Sequence, residues 1–184
     1  MWPRLILDTQ MTDPPVYADE LAALGGASPA AVLVTGMSGV GKSTALDELA
    51  HRGYTTVDTD NGSWIQTVDG EPLWREPMID ELLKRPRETA LFVQGTVANQ
   101  GRFYHRFDAV VLLTAPLDVL LDRLQRRTNN PFGKQPDERQ QILSDIAAVE
   151  PQLRQAATHV VDTNCELSDV VDLLVEIALQ PEPR

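Results

Sequence analysis

A three-layer α/β domain, with a five-stranded parallel sheet between helices, is the fold class this 184-residue sequence predicts. Three observations predict it. From Ala31 onward, short apolar runs alternate with stretches of helical period, an order that parallel strands joined by crossover helices require. The apolar runs are continuous in Val and Leu rather than alternating, as in strands buried on both faces. Hydrophobic residues at 42% and charged residues at 23% match a soluble globular chain, and the length suffices for one domain with a substantial core.

Each element follows from its own residues. Residues 1–30 carry the breakers Pro14-Pro15 and "GGASPA" around one short helical stretch at 16–24, and read as an N-terminal extension to a domain spanning 31–184. Strands are predicted at "AVLVT" (31–35), "YTTVDT" (54–59), "ALFVQ" (90–94), "AVVLLT" (109–114) and "HVVDT" (159–163). Helices are predicted at 42–52, 72–84, 117–127, 136–157 and 167–179, from apolar residues recurring at helical spacing.

Composition excludes several functions. A net charge of −11 argues against a nucleic-acid partner, because phosphate backbones are held by clustered Lys and Arg. The single Cys165 allows no internal disulfide and no paired-cysteine zinc site, which fits a reducing cytoplasm. No apolar run approaches the length of a membrane span, and the first residues lack an apolar signal core. His51, His105 and His159 lie far apart, without metal-ligand spacing. A monomer or weak homodimer is expected.

The chemistry concentrates in "VLVTGMSGVGKSTALDEL", residues 32–49. Gly36 to Ser43 satisfies GxxxxGK[ST], directly after a predicted strand and opening a helix. Glycines let backbone N–H groups converge on phosphate oxygens, and the helix N-terminus adds partial positive charge. Ser38, Gly39, Val40, Gly41, Lys42, Ser43 and Thr44 therefore form a candidate nucleotide-phosphate cradle. Lys42 reaches the β- and γ-phosphates, and the Ser43 hydroxyl is placed to ligate Mg²⁺. No guanine-reading NKxD is present, so a GTPase is disfavoured. A large motor or AAA-type ATPase would need a longer chain and an apolar strand ending in a carboxylate. Here the candidate strands end in Gln94 and Thr114. The acidic residues follow the second strand instead, in "DTDNG"; read alone, that segment is either a capped surface turn or part of a site.

With "GMSGVGKST", "VDTD", "RRTNNPFGK" and "HVVDTN" in view, the sequence resembles the shikimate-kinase-like branch of the small P-loop kinases, over about residues 31–180. That resemblance implies a P-loop NTPase fold, ATP and Mg²⁺ as cofactors, and a small-molecule phosphoryl acceptor. It also implies a lid near 128–137 and an acceptor-binding helical region near 62–88. Carried over residue by residue, it gives Asp58 a part in holding Mg²⁺ and Asp60 a part in positioning or deprotonating the acceptor hydroxyl. It sets Arg127 against the adenine face and Lys134 over the phosphates, where the family normally has Arg. Thr163 and Asn164 fall in the loop that borders adenine; otherwise that loop is a turn. Arg123 and Arg126 also read as a solvated helix end.

The acceptor side departs from the family. Trp74-Arg75 stands for the family's F-R-x-x-E, with Met78 where Glu is expected. Gly95 alone matches the triple glycine after the third strand, and Val149-Glu150 occupy the place of the last Arg. An acceptor carboxylate would lose a charge-assisted bond there, worth about 1.5–3 kcal/mol. Trp64 and Trp74 read as a pocket floor or as core. Arg102 reads as an acceptor contact or, more simply, as part of a solvated helix. Two readings of function stay open: an ATP-dependent small-molecule kinase, with a nucleoside, nucleotide or sugar acid as other acceptors, and a regulatory module that binds ATP without transferring its phosphoryl group.

Overall fold

A computed structural model describes residues 28–126 and 135–180. The phosphate loop lies between strand β1 (Ala31–Thr35) and helix α1 (Lys42–His51). Then come β2 (Thr55–Asp58), a hairpin of β3 (Ile65–Val68) and β4 (Glu71–Trp74), α2 (Glu76–Lys84), β5 (Leu91–Gln94) and a 3-10 helix (Gln100–Arg106). The chain continues through β6 (Ala109–Thr114), α3 (Leu117–Arg126), α4 (Pro136–Ala156), β7 (His159–Asp162) and α5 (Leu167–Leu179). Five strands form one parallel sheet in the order β2-β5-β1-β6-β7. The five strands of the sheet and four of the five helices lie within a residue or two of the segments predicted for them.

Alternation along β1 creates the layers. Val32 and Val34 point to one face, into a cluster with Leu46 and Leu49 of α1, Leu120 of α3, Leu153 of α4 and Val171 and Leu174 of α5. Ala31 and Leu33 point to the other, with Ile79 and Leu83 of α2, Trp74, and Phe103 and Phe107. With both faces covered, the β1, β5 and β6 residues from Ala31 to Val34, Leu91 to Gln94 and Ala109 to Leu113 are buried. That burial accounts for their uninterrupted apolar runs.

One region differs from expectation: within 62–88, expected to be helical, β3 and β4 form a hairpin ahead of the helix. The helix predicted over 72–84 begins as strand β4, and α2 starts only at Glu76. The cause is the dipeptide Asp69-Gly70, whose φ values of 51° and 85° suit a two-residue hairpin turn. Val68 therefore pairs with Glu71, and Ile65 with Trp74. Pro72 is tolerated because a two-stranded ribbon has only edges. Helix then resumes with Pro77 in its first turn, where a missing N–H costs nothing.

Trp74 anchors the hairpin to the sheet. Its ring is wholly buried, donates from Nε1 to Thr59 Oγ1 at 2.9 Å, and meets Phe103 edge-on. Asn99 acts as a surrogate strand, accepting from Trp74 N at 2.8 Å and donating to Trp74 O at 3.0 Å. Of the two sequence readings of Trp74, core is the one observed.

Gly95, expected at the acceptor, packs beneath this Trp. A Cβ there would lie 2.4 Å from Thr59 Oγ1 and 2.9 Å from Trp74 Cζ2. Gly95→Ala is therefore expected to destabilise the fold by about 1–3 kcal/mol through overpacking. Thermal unfolding should show the midpoint falling by roughly 2–12 °C; an unchanged midpoint would mean that the indole moves aside freely.

Candidate active site

The carboxyl ends of the parallel strands converge on one cavity of about 630 Å³. Its floor is the phosphate loop, with Ser38, Gly39, Val40, Gly41, Lys42, Ser43 and Thr44 all on the wall. Gly36 carries the loop past β6, since a Cβ would sit 2.5 Å from the Leu113 carbonyl oxygen. Gly41 caps α1 with φ 95°, a left-handed conformation that a side chain would resist. The Lys42 ammonium donates to Gly36 O at 2.7 Å and Met37 O at 3.3 Å, so its charge rests on the loop. Thr96 Oγ1 also donates to Gly36 O, at 2.8 Å.

The second wall comes from the end of β2. Asp58 accepts from Asp60 N at 2.9 Å and from Asn61 Nδ2 at 2.8 Å, which folds "DTDN" into a turn that presents both carboxylates to the cavity. Thr59 points away, into the core, donating to Gln94 O at 2.7 Å. Solvent reaches Asp60 from one side while the cleft desolvates it from the other. Its carboxyl pKa is raised, first by that desolvation; the Lys42 charge opposes the rise and the Asp58 charge adds to it. Asp60 thus feels the phosphate-loop lysine across the cavity.

Mg²⁺ suits the donors gathered here. Ser43 Oγ and Asp58 Oδ1 both accept from Gln94 Nε2, the former at 3.4 Å, so a hydroxyl and a carboxylate stand around one carboxamide. Hard oxygen donors of this kind, one or two per site and completed by phosphate oxygens and water, are what Mg²⁺ takes.

The third wall combines Arg123, Thr163, Cys165, Leu167 and Val170. Thr163 is buried and donates to Thr114 O at 3.1 Å. Arg123 donates to Thr163 Oγ1 at 2.8 Å and to Thr163 O at 2.6 Å, which fixes its guanidinium plane against the cavity. Arg123 is therefore not the solvated helix end that its position also suggested. Asn164 is exposed and turns on Asp162, its N–H donating to Oδ1 at 2.8 Å, and does not line the cavity. Arg127 and Lys134 lie outside the described residues, as does most of the expected lid.

Of the expected acceptor contacts, Asp60 lines this cavity, whereas Arg75, Gly95 and Arg102 do not. Arg75 is exposed; its N–H donates to Trp64 O at 2.7 Å and its side chain to Ile65 O at 3.4 Å, closing the hairpin. Arg102 is exposed and pairs with Glu76 at 2.7 Å, as a solvated helix residue would. Val149 packs against the core and Glu150 pairs with Arg154 on its own helix. Asn61, Gln94 and Arg123 are wall residues that sequence reasoning did not assign. Two carried a usable signal: Asn61 directly follows Asp60, and Arg123 lies one helical turn before Arg127.

These features define a candidate phosphate site at the carboxyl edge of a parallel sheet, and comparison with known proteins places the chain in a family. A family model described as an AAA domain matches residues 32–144. The shikimate kinase of Halorhodospira halophila is 30% identical over 172 residues, covering 85% of this chain and 97% of that one. Among solved structures, the shikimate kinase of Acinetobacter baumannii in complex with shikimate shares the fold, with a TM-score of 0.60 and 22% identity over 84% of this chain and 96% of that one. A gluconokinase from Sinorhizobium meliloti shares it at a TM-score of 0.57 and 19% identity, over 84% and 94%. The chain belongs to the shikimate-kinase-like small P-loop kinases. The AAA name fits the phosphate loop and its strand, although β5 and β6 end in Gln94 and Thr114 rather than in carboxylates. Among the described residues, no helix is long and apolar enough to cross a membrane.

Proposed function

We propose that the protein transfers the γ-phosphoryl group of ATP to a hydroxyl or phosphate group of a small metabolite. The observation that carries this reading is that Lys42 and Asp60 line one cavity. A nucleotide store needs the first residue and has no use for the second.

The phosphoryl-transfer transition state is loose, so alignment and charge neutralisation outweigh covalent chemistry. Backbone N–H groups of residues 38–44 hold the phosphates, and Lys42 leaves the loop carbonyls for the β- and γ-phosphate oxygens. Ser43 and Asp58 would hold Mg²⁺, which would supply charge neutralisation at the phosphates. Asp60 orients the acceptor hydroxyl and takes its proton; a carboxyl pKa raised by desolvation makes it a stronger acceptor. Arg123, fixed on Thr163, and the apolar side chains of Leu167 and Val170 form the base-side wall. The family resemblance gives Lys134 a role at the phosphates and Arg127 a role at the adenine. Acceptor-dependent ADP formation across a metabolite panel tests the reading.

Shikimate is expected to be a poor acceptor. Val149 and Glu150 are engaged elsewhere, and Gly95 is sealed beneath Trp74. A coupled assay with shikimate and Mg²⁺-ATP should show turnover far below the roughly 1–100 s⁻¹ usual for kinases; turnover within that range would show that other groups hold its carboxylate.

The same placements favour a second reading, in which the chain binds ATP as a regulatory module and phosphorylates nothing. The metabolite panel separates the two.

A further inference from the structure

We propose that Gln94 is a positioning residue that sets Ser43 and Asp58 for Mg²⁺, an inference that rests on the Mg²⁺-nucleotide reading above. Gln94 ends the apolar run of β5 and pairs in register with Asp58 of β2 and Val34 of β1. Parallel register places the Gln94 and Asp58 side chains on the same face of adjacent strands. Gln94 is wholly buried, the most deeply placed polar side chain on the cavity wall.

Its two ends differ. Nε2 donates to Asp58 Oδ1 and, at 3.4 Å, towards Ser43 Oγ. Oε1 is buried and has no hydrogen-bond partner among the described residues. A position that sought only stability would hold an apolar side chain of similar length, because an unsatisfied buried acceptor is unfavourable and the rest of β5 is apolar. What the carboxamide adds is a donor shared between the end of β2 and the first turn of α1. A carboxylate could not donate there, and would add a third negative charge beside Asp58 and Asp60. The amide holds Asp58 in place without competing for the cation.

The role makes Gln94→Met separable from a structural lesion. Removing the amide relieves the orphaned oxygen at nearly constant volume, so the thermal midpoint should hold or rise. Calorimetry of ADP binding, with and without Mg²⁺, is the readout. In the wild type, Mg²⁺ should tighten ADP. In Gln94→Met that gain should shrink by roughly 10-fold or more, the usual effect of losing a partner of a metal ligand. Affinity for ADP in EDTA should stay within about twofold, because the loop amides are untouched. Gln94→Asn, one methylene shorter, should lose part of the Mg²⁺ gain, and serves if Gln94→Met does not fold. A full Mg²⁺ gain in the folded variant would overturn the role, as would equal loss of ADP affinity with and without Mg²⁺, which would mark Gln94 as a support of the loop. A wild type whose ADP affinity ignores Mg²⁺ would overturn this role and the assignment of Ser43 and Asp58 together.

Discussion

Lys42→Ala is expected to lower phosphoryl transfer by about 10²–10³-fold or more, the usual cost of removing one preorganised charge-stabilising donor, and to weaken ATP binding measurably by calorimetry. The loop itself should survive. Lys42 is exchanged for water at Gly36 O and Met37 O, and Gly36 O keeps its bond from Thr96 Oγ1 at 2.8 Å. Gly41 and the N–H groups of α1 are unchanged. A fall in ATP affinity with an unaltered thermal midpoint would therefore report the lost ammonium. Equal ATP affinity for the two proteins would remove Lys42 from the nucleotide site.

Asp60→Asn should cost about 10²–10⁴-fold in turnover, the range for a positioned acid–base group, with little change in ATP affinity. The substitution keeps the shape and removes the charge and the proton-accepting oxygen. Because Asp60 gives only its backbone N–H to Asp58, the turn and its second carboxylate stay in place. Asp58→Asn should behave in the opposite way, lowering Mg²⁺ dependence and nucleotide affinity together. Its oxygens accept from Gln94, Asn61 and the Asp60 backbone, so the turn would loosen as well. Nucleotide binding and acceptor turnover, measured for each variant, separate the roles. Turnover intact in Asp60→Asn and abolished in Asp58→Asn would reverse the assignments.

What the sequence disclosed and what it withheld follow from range. The phosphate loop is legible because its glycines, lysine and serine are adjacent in the chain. The parallel sheet was legible for a similar reason, since burial on both faces leaves continuous Val and Leu runs. Strand β4 was missed because "EPLWREPMIDELLK" carries helical spacing into a segment that the Asp69-Gly70 turn claims for a hairpin. That dipeptide was there to be read. Gln94 carried no such local signal, and the spacing of Arg123 from Arg127 hinted at a site without fixing its partner. The roles of Gln94 and Arg123 depend on Asp58 and Thr163, which lie 36 and 40 residues away and meet them only through sheet register and helix packing. Gly95 misled because a lone glycine after a strand can face a ligand or make room for an indole, and only Trp74's position decides.

Acceptor-dependent ATP consumption by the wild type and Asp60→Asn, side by side over a broad panel of hydroxyl-bearing metabolites, tests the central claim most directly. Catalysis at the Lys42–Asp60 cavity predicts at least one metabolite that drives ADP formation in the wild type and fails to do so, by two orders of magnitude or more, in Asp60→Asn with ATP affinity retained. A wild type that binds Mg²⁺-ATP and consumes it with no metabolite in the panel would contradict the kinase reading and leave the nucleotide-binding module in its place.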